Sequence, residues 1–265
     1  MRAVSPAVLA DVQSSADHRG IVINRAGVKG LRAPLRVRQA DGTEQPVVAR
    51  LDMSVGLPGH LKGTHMSRFV EIIEAQQCAL DVPALLALLQ RMLGRLDADR
   101  GEIAVAFTYF IRKAAPVSGV ESALDHEVVM SARHDPQDGT RATLQVCVPV
   151  TSLCPCSKEI SAYGAHNQRS QVTIEAQLTA PMSIEELVRI AEEEASCEVF
   201  GLLKRPDEKF VTERAYDNPK FVEDLVRGVA VRLNGEERVS RYRLRAENFE
   251  SIHNHSAFAE INREG

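Results

Sequence analysis

The chain is short of cysteine and of long apolar runs, and each scarcity removes a class of protein. Five cysteines in 265 residues (Cys78, Cys147, Cys154, Cys156 and Cys197) are an odd, sparse set. A disulfide-stapled secreted domain would carry a dense, even one. No apolar stretch approaches the roughly 20 residues that cross a bilayer, so no membrane is expected as a partner. Met1 to Gly20 lacks the basic start and apolar centre of a secretory signal, and a cytoplasmic location is expected. A basic excess is missing too: 32 Lys and Arg against 36 Asp and Glu leave a net charge of −4. That argues against nucleic acid as a partner, while leaving room for a local basic pocket for a phosphorylated small molecule. What remains, 44% hydrophobic and 26% charged residues, is the composition of a soluble globular protein with ample material for a core.

The apolar pattern predicts an α+β fold made of two tandem units. After a flexible tail over residues 1–20, Ala33, Leu35 and Val37 alternate with Arg36 and Arg38. Asp41-Gly42 supplies a turn, and Val47, Ala49, Leu51 and Met53 form the returning strand. Met66, Phe69, Val70 and Ile73 follow at helical spacing. A second helix opens at Asp81, with Pro83 in its first turn, and runs to Leu96. Strands over Ile103–Ile111 and Leu124–Ala132 complete a β-β-α-α-β-β unit, residues 21–136. Residues 137–265 repeat the order. Leu144–Val150 and Val172–Leu178 alternate, and Ser183 with Glu186 forms a capping box. A polar stretch spans Lys204 to Asp217, and a helix is expected from Pro219 with Asn218 as its cap. A closing strand covers residues 241–246. Antiparallel sheets of this kind, covered by helices on one side, leave edges that must be hidden. Joining them between units and subunits into barrels is the simplest remedy, so a homo-oligomer is expected.

The chemistry concentrates in Cys154-Pro155-Cys156-Ser157-Lys158-Glu159 and Gly164-Ala165-His166-Asn167-Gln168-Arg169, held between two well-patterned strands. Thiolate and imidazole are the ligands that borderline divalent ions such as zinc prefer. Two such ligands cannot close a tetrahedral site, so a catalytic metal with an open position is the better reading than a structural one. Cys78, Cys147 and Cys197 read instead as small packing residues. Candidates for a third ligand are Glu208, Glu213, His65 and the His253/His255 pair, and spacing alone does not choose among them. Glu223 reads as a solvated first-turn carboxylate, or as an anchor for adjacent N–H donors of a planar heterocycle. His65, in Gly63-Thr64-His65-Met66-Ser67-Arg68, precedes a helix start suited to phosphate.

Taken together these motifs resemble the GTP cyclohydrolase IB family. The residues that carry the likeness are Leu57-Pro58 with Gly63 to Arg68, Pro149 to Ile160, Tyr163 to Arg169, Leu203 to Glu208 and Asn218 to Asp224. The resemblance spans about residues 20 to 260. It implies the tunnelling fold, with active sites at subunit boundaries and a tetramer as the expected assembly. It also implies hydrolysis of the guanine imidazole ring of GTP, releasing formate and giving 7,8-dihydroneopterin triphosphate, the first step of folate and pterin biosynthesis. By the same resemblance Cys154, His166 and Glu208 are ligands of one divalent metal per site, Zn2+ in first place with Mn2+ or Fe2+ as alternatives. Glu223 anchors the guanine edge, with Cys154 counted among the catalytic residues. Lys158, Ser157, His65 and Arg68 are expected substrate contacts, and Glu250, His253 and His255 are candidates for proton movement. Two other readings compete: a pterin- or purine-handling aldolase or nitrile reductase of the same fold, and a non-catalytic metal- or nucleotide-binding module.

Overall fold

The structure, a computed structural model, describes Gln13 and residues 15–264. Most of the expected tail lies outside those residues. Its described part runs along residues 60–63: Asp17 N donates to His60 O, and Lys62 N donates to Ser15 O.

The chain alternates as read from its pattern, with strands longer than the apolar runs alone suggest. β1 (Ile23–Arg38) and β2 (Glu44–Leu57) form the first hairpin. Their turn needs the left-handed backbone of Gly42, φ 85°, which costs a residue without Cβ nothing. Next come α1 (Met66–Glu74) and α2 (Val82–Leu96), then β3 (Gly101–Ala114) and β4 (Glu121–Asp135). Asp81 caps α2 by accepting from Ala84 N at 2.8 Å, and Pro83 sits where an N–H would be orphaned anyway. The second half runs β5 (Gly139–Leu153), α3 (Pro155–Ile160), β6 (Asn167–Leu178), α4 (Ile184–Glu194), β7 (Cys197–Glu198), α5 (Arg205–Asp217), α6 (Val222–Asn234), β8 (Val239–Asn248) and β9 (Ala257–Arg263). Ser183 and Glu186 form the expected box, each accepting from the other's amide.

All strands join one antiparallel sheet in the order β1-β2-β3-β4-β5-β6-β8-β9, with β7 on β5. Alternate residues of each strand pack under the helices in one continuous core that includes Leu51, Leu89, Met92, Val105, Val146, Ile174, Leu225 and Leu244. The opposite face is polar, as Arg241, Arg243 and Arg245 on β8 show by their exposure. This is the expected α+β class: antiparallel strands with helices on one side.

Two expectations about the second half are corrected. The stretch Lys204 to Asp217 is the cap and body of a helix, α5; it buries only Asp207 and Ala215 and so carries no apolar period to read. Asn218 therefore ends α5 instead of capping the next helix. Its side chain donates to Ala195 O and Ser196 O, and α6 starts at Val222, after Phe221. A last strand, β9, was not anticipated. Its inward residues are Ala257, Ala259 and Ile261, too small a set to show an alternation without β8 beside it.

Where β4 and β5 diverge, the second half wedges into the first. Their pairing stops at Glu127↔Cys147, and β7 takes over the β5 edge at Val150 and Thr151. Polar contacts stitch this seam. Tyr109 OH donates to Glu185 Oε1, Lys113 Nζ lies 2.6 Å from Glu192 Oε1 and 3.0 Å from Val199 O, and Asp207 reaches the β3–β4 turn.

Candidate active site

β5 and β6 remain paired from the last residue of β5 to the first of β6, Leu153↔Asn167, and this places Cys154 beside His166. One more ladder bond forms beyond the strands, from Cys154 N to His166 O at 3.1 Å. The eleven residues between them open with α3, whose N-cap is Cys154: its Sγ accepts from Ser157 N at 3.4 Å. Ser157 locks the pair, since its Oγ donates to Cys154 O and accepts from His166 N, both at 3.2 Å. Ser157 thus holds the loop shut from within.

The imidazole is oriented as well. His166 Nδ1 lies 3.0 Å from Gln168 Oε1 and 4.0 Å from Glu250 Oε2, with the His166 and Glu250 side chains only 15% and 11% exposed. With Nδ1 as donor to Gln168 Oε1, Nε2 carries the lone pair. Beneath them Ser170 Oγ donates to Asn248 Oδ1 at 2.7 Å and lies 2.9 Å from Ser152 Oγ, all three residues buried. Sequence reasoning missed this polar floor. Its signal was present: inward-facing positions of β5, β6 and β8 hold serine, serine and asparagine where the pattern calls for apolar residues.

These donors suit a borderline divalent ion. A soft sulfur and an imidazole branch from neighbouring backbone positions, and Nδ1 of the imidazole faces an amide oxygen and a carboxylate, the outer support that metal-bound histidines use. Cys154 and His166 are brought together. Among the described residues, however, no group of three or more His, Cys, Asp or Glu side chains is placed to hold a metal. Glu208 is exposed in the first turn of α5. Glu213 pairs with Lys209 at 3.6 Å. His253 and His255 stack on each other, centroids 5.2 Å apart, in the exposed segment between β8 and β9.

Lys158 Nζ donates to Tyr216 O and lies 4.3 Å over the Tyr216 ring, tying α3 to the C-terminal end of α5. Glu223 is exposed in the first turn of α6. Lys220 N donates to Leu153 O, so that turn stands at the Cys154 end of the sheet.

His65 and Arg68 are elsewhere. Val55 pairs with Gly101 and Gly101 with His134, so the end of β2 that leads to α1 is at the start of β5, not at its finish. At ~3.3 Å per residue, the 15 residues of β5 put about 45 Å between the two ends. His65 and Arg68 line a cavity of about 290 Å³ there. It adjoins a second of about 370 Å³ lined by Arg25, Arg100, Arg133 and His134. The stem of Arg100 crosses Gly56 so closely that any Cβ there would collide with it. Arg25, Arg100 and Arg133 carried no sequence signal, because they come from three separate segments.

One antiparallel sheet with helices packed on one face and a Cys–His pair at a strand end define a protein of the tunnelling-fold class. Solved structures agree on the fold. The chain is similar to the uricase of Arthrobacter globiformis (TM-score 0.54, 9% identity, 91% of this chain and 94% of that one). It is similar also to a Bacillus fastidious uricase (TM-score 0.51, 10% identity, 93% and 94%). At such identities the likeness concerns the fold alone. Sequence relatives are far nearer: "GTP cyclohydrolase FolE2 1" of Dechloromonas aromatica is 60% identical over 261 residues, 98% of each chain. "GTP cyclohydrolase FolE2" of Paraburkholderia phymatum is 61% identical over 263 residues, 98% of this chain and 97% of that one. The family model described as type I GTP cyclohydrolase folE2 matches residues 9–259, and the chain belongs to that family.

Proposed function

We propose that this protein is a metal-dependent GTP cyclohydrolase of the IB type. It opens the imidazole ring of GTP, releases formate and yields 7,8-dihydroneopterin triphosphate at the entry to folate biosynthesis. Membership of the family supports the reaction, and the observation that carries the site is Cys154 held beside His166, with Glu250 against the imidazole.

Cys154 and His166, with Glu208 as the carboxylate, would hold one divalent ion, Zn2+ in the first instance and Mn2+ or Fe2+ as alternatives. When bound, such an ion supplies a nucleophilic water at neutral pH, by lowering its pKa to about 7. Gln168 and Glu250 orient the His166 ring. Glu223 accepts from the guanine edge with both oxygens, turning C8 toward Cys154 and replacing a bimolecular encounter by a positioned one. Glu250, His253 and His255 move protons to and from the purine nitrogen and the departing formyl group, work suited to imidazoles near neutral pH.

His65 and Arg68, with the arginine-lined cavity beside them, serve the triphosphate. Since about 45 Å of strand separates them from Cys154, they act on the substrate of another copy. The open edges of β1 and β9 are where sheets of a homo-oligomer, a tetramer in this reading, would join, in keeping with the rule that long free edges are paired or covered.

The test is mass spectrometry of products after incubating purified protein with GTP and, in turn, Zn2+, Mn2+ and Fe2+. Formate together with dihydroneopterin triphosphate is expected with at least one metal. No formate with any of them rejects the assignment, and a cyclic phosphate in place of the triphosphate corrects the product.

A further inference from the structure

α5 is an unusual helix to find at a working site, because almost nothing apolar holds it. Of its thirteen residues only Asp207 and Ala215 are buried, and Asp207 is fully so, at 0% exposure. Its carboxylate is saturated. Oδ1 accepts from Val117 N and Ser118 N, each at 2.8 Å. Oδ2 accepts from Ser118 Oγ at 2.6 Å and from Lys204 N at 2.8 Å. An ionised carboxylate offers about four acceptor sites, and all are used.

Capping alone explains one of these bonds. A residue at the third helical position need only accept from the N-cap amide, here Lys204 N. The other three come from the β3–β4 turn, some ninety residues earlier, so Asp207 fastens the start of α5 to the first half of the chain. Two oxygens pinned from two directions fix the roll of the helix as well as its place. The neighbouring side chain is Glu208, turned about 100° further round the axis and exposed. Its direction follows from how Asp207 is held.

We propose that Asp207 is a positioning residue for Glu208, setting where that carboxylate stands for the divalent ion; this rests on the reading of Glu208 as a ligand. The bond pattern also explains why aspartate is needed. Asparagine of the same shape accepts on one oxygen only and turns its NH2 against two further donors.

The experiment compares the full-length parent with D207N, S118A and E208Q. The readouts are Mn2+ affinity by competition with a chelator, thermal midpoint, and kcat and KM for GTP at saturating Mn2+. Loss of an outer support of a metal ligand typically weakens the metal by about 10–100-fold, and D207N is expected in that range. S118A, which keeps all three backbone donors, is expected to weaken Mn2+ by less than D207N while folding normally. In both, KM for GTP should stay near parental while kcat recovers as Mn2+ is raised. A purely structural role would lower the midpoint and leave the Mn2+ affinity of the folded protein unchanged, and that outcome overturns the proposal. If D207N does not fold, S118A decides by the same criterion. Should E208Q keep parental Mn2+ affinity, the ligand reading fails and the proposal with it. Should E208Q lose Mn2+ while D207N and S118A keep it, only the positioning role fails.

Discussion

Replacing Lys113 by Met should unfold this protein more readily than any comparable change on its surface. Lys113 Nζ is 2.6 Å from Glu192 Oε1 and 3.0 Å from Val199 O, and lies 4.5 Å over the Phe200 ring. The two charged side chains are 12% and 16% exposed, so the pair belongs to the interior. Burial raises the pKa of Glu192 even with Lys113 opposing it, which shows how expensive that carboxylate is to keep ionised. At an effective dielectric of 20, opposite charges ~3 Å apart attract by about 5 kcal/mol. Breaking a buried pair by deleting one partner typically costs about 3–5 kcal/mol. For a chain of this size each kcal/mol moves the midpoint by about 2–4 °C, so a fall of roughly 6–20 °C is expected by circular dichroism at fixed protein concentration. The double variant K113M/E192L removes the stranded charge and should return to within about 1 kcal/mol of the parent. The sign with pH is also set. A carboxyl whose folded pKa is raised adds stability fully below its ordinary value of 4.5 and loses it as pH rises through the folded value. K113M should therefore be relatively worse at pH 8 than at pH 5. A loss under ~1 kcal/mol in K113M, or a double variant as unstable as the single, would refute the picture of a seam held by a buried ion pair.

Three further expectations concern the site and the core. Cys154→Ala and His166→Ala should each abolish formate release and lower bound metal by at least about 100-fold in affinity, beyond the effect of losing an outer partner; parental metal content in both would remove their ligand roles. Glu223→Gln cannot accept with two charged oxygens, and hydrogen bonds to charged groups are worth about 1.5–3 kcal/mol. GTP binding should weaken by roughly 10–100-fold, and unchanged affinity in a titration would withdraw the anchor. His126 is 1% exposed, with neither ring nitrogen hydrogen-bonded, and burial pushes its pKa below the ordinary 6.5. A base with a lowered folded pKa takes up its proton first in the unfolded chain, so stability is lost as pH falls from about 6.5. His126→Leu should flatten that acid limb without lowering the midpoint at pH 8, and a parental pH dependence in urea melts would show that His126 is not its source.

The site was legible to different depths for different residues. Cys154 and His166 stood out because two clean alternations bracket a short polar loop, and paired strands must return the loop's ends to one place. Glu250 was readable only as a nearby acid, and β8 had to lie beside β6 before it could meet the imidazole. α5 escaped notice because a helix held by one buried carboxylate and one alanine shows no apolar period. Misplacing it shifted the start of α6 as well.

Alternating apolar residues, a few caps and one Cys–His loop were enough to determine the α+β class, most element positions and the pair of soft donors, because these depend on local periodicity and on strand pairing between neighbours in sequence. Which residues share an end of the sheet was decided by strand order and register. That set His65 and Arg68 at the opposite end of the sheet from Cys154, gathered four distant segments around an arginine-lined cavity, and bound Asp207 to a turn ninety residues away. Those relations depend on long-range packing and hydrogen bonds whose partners have no fixed spacing along the chain.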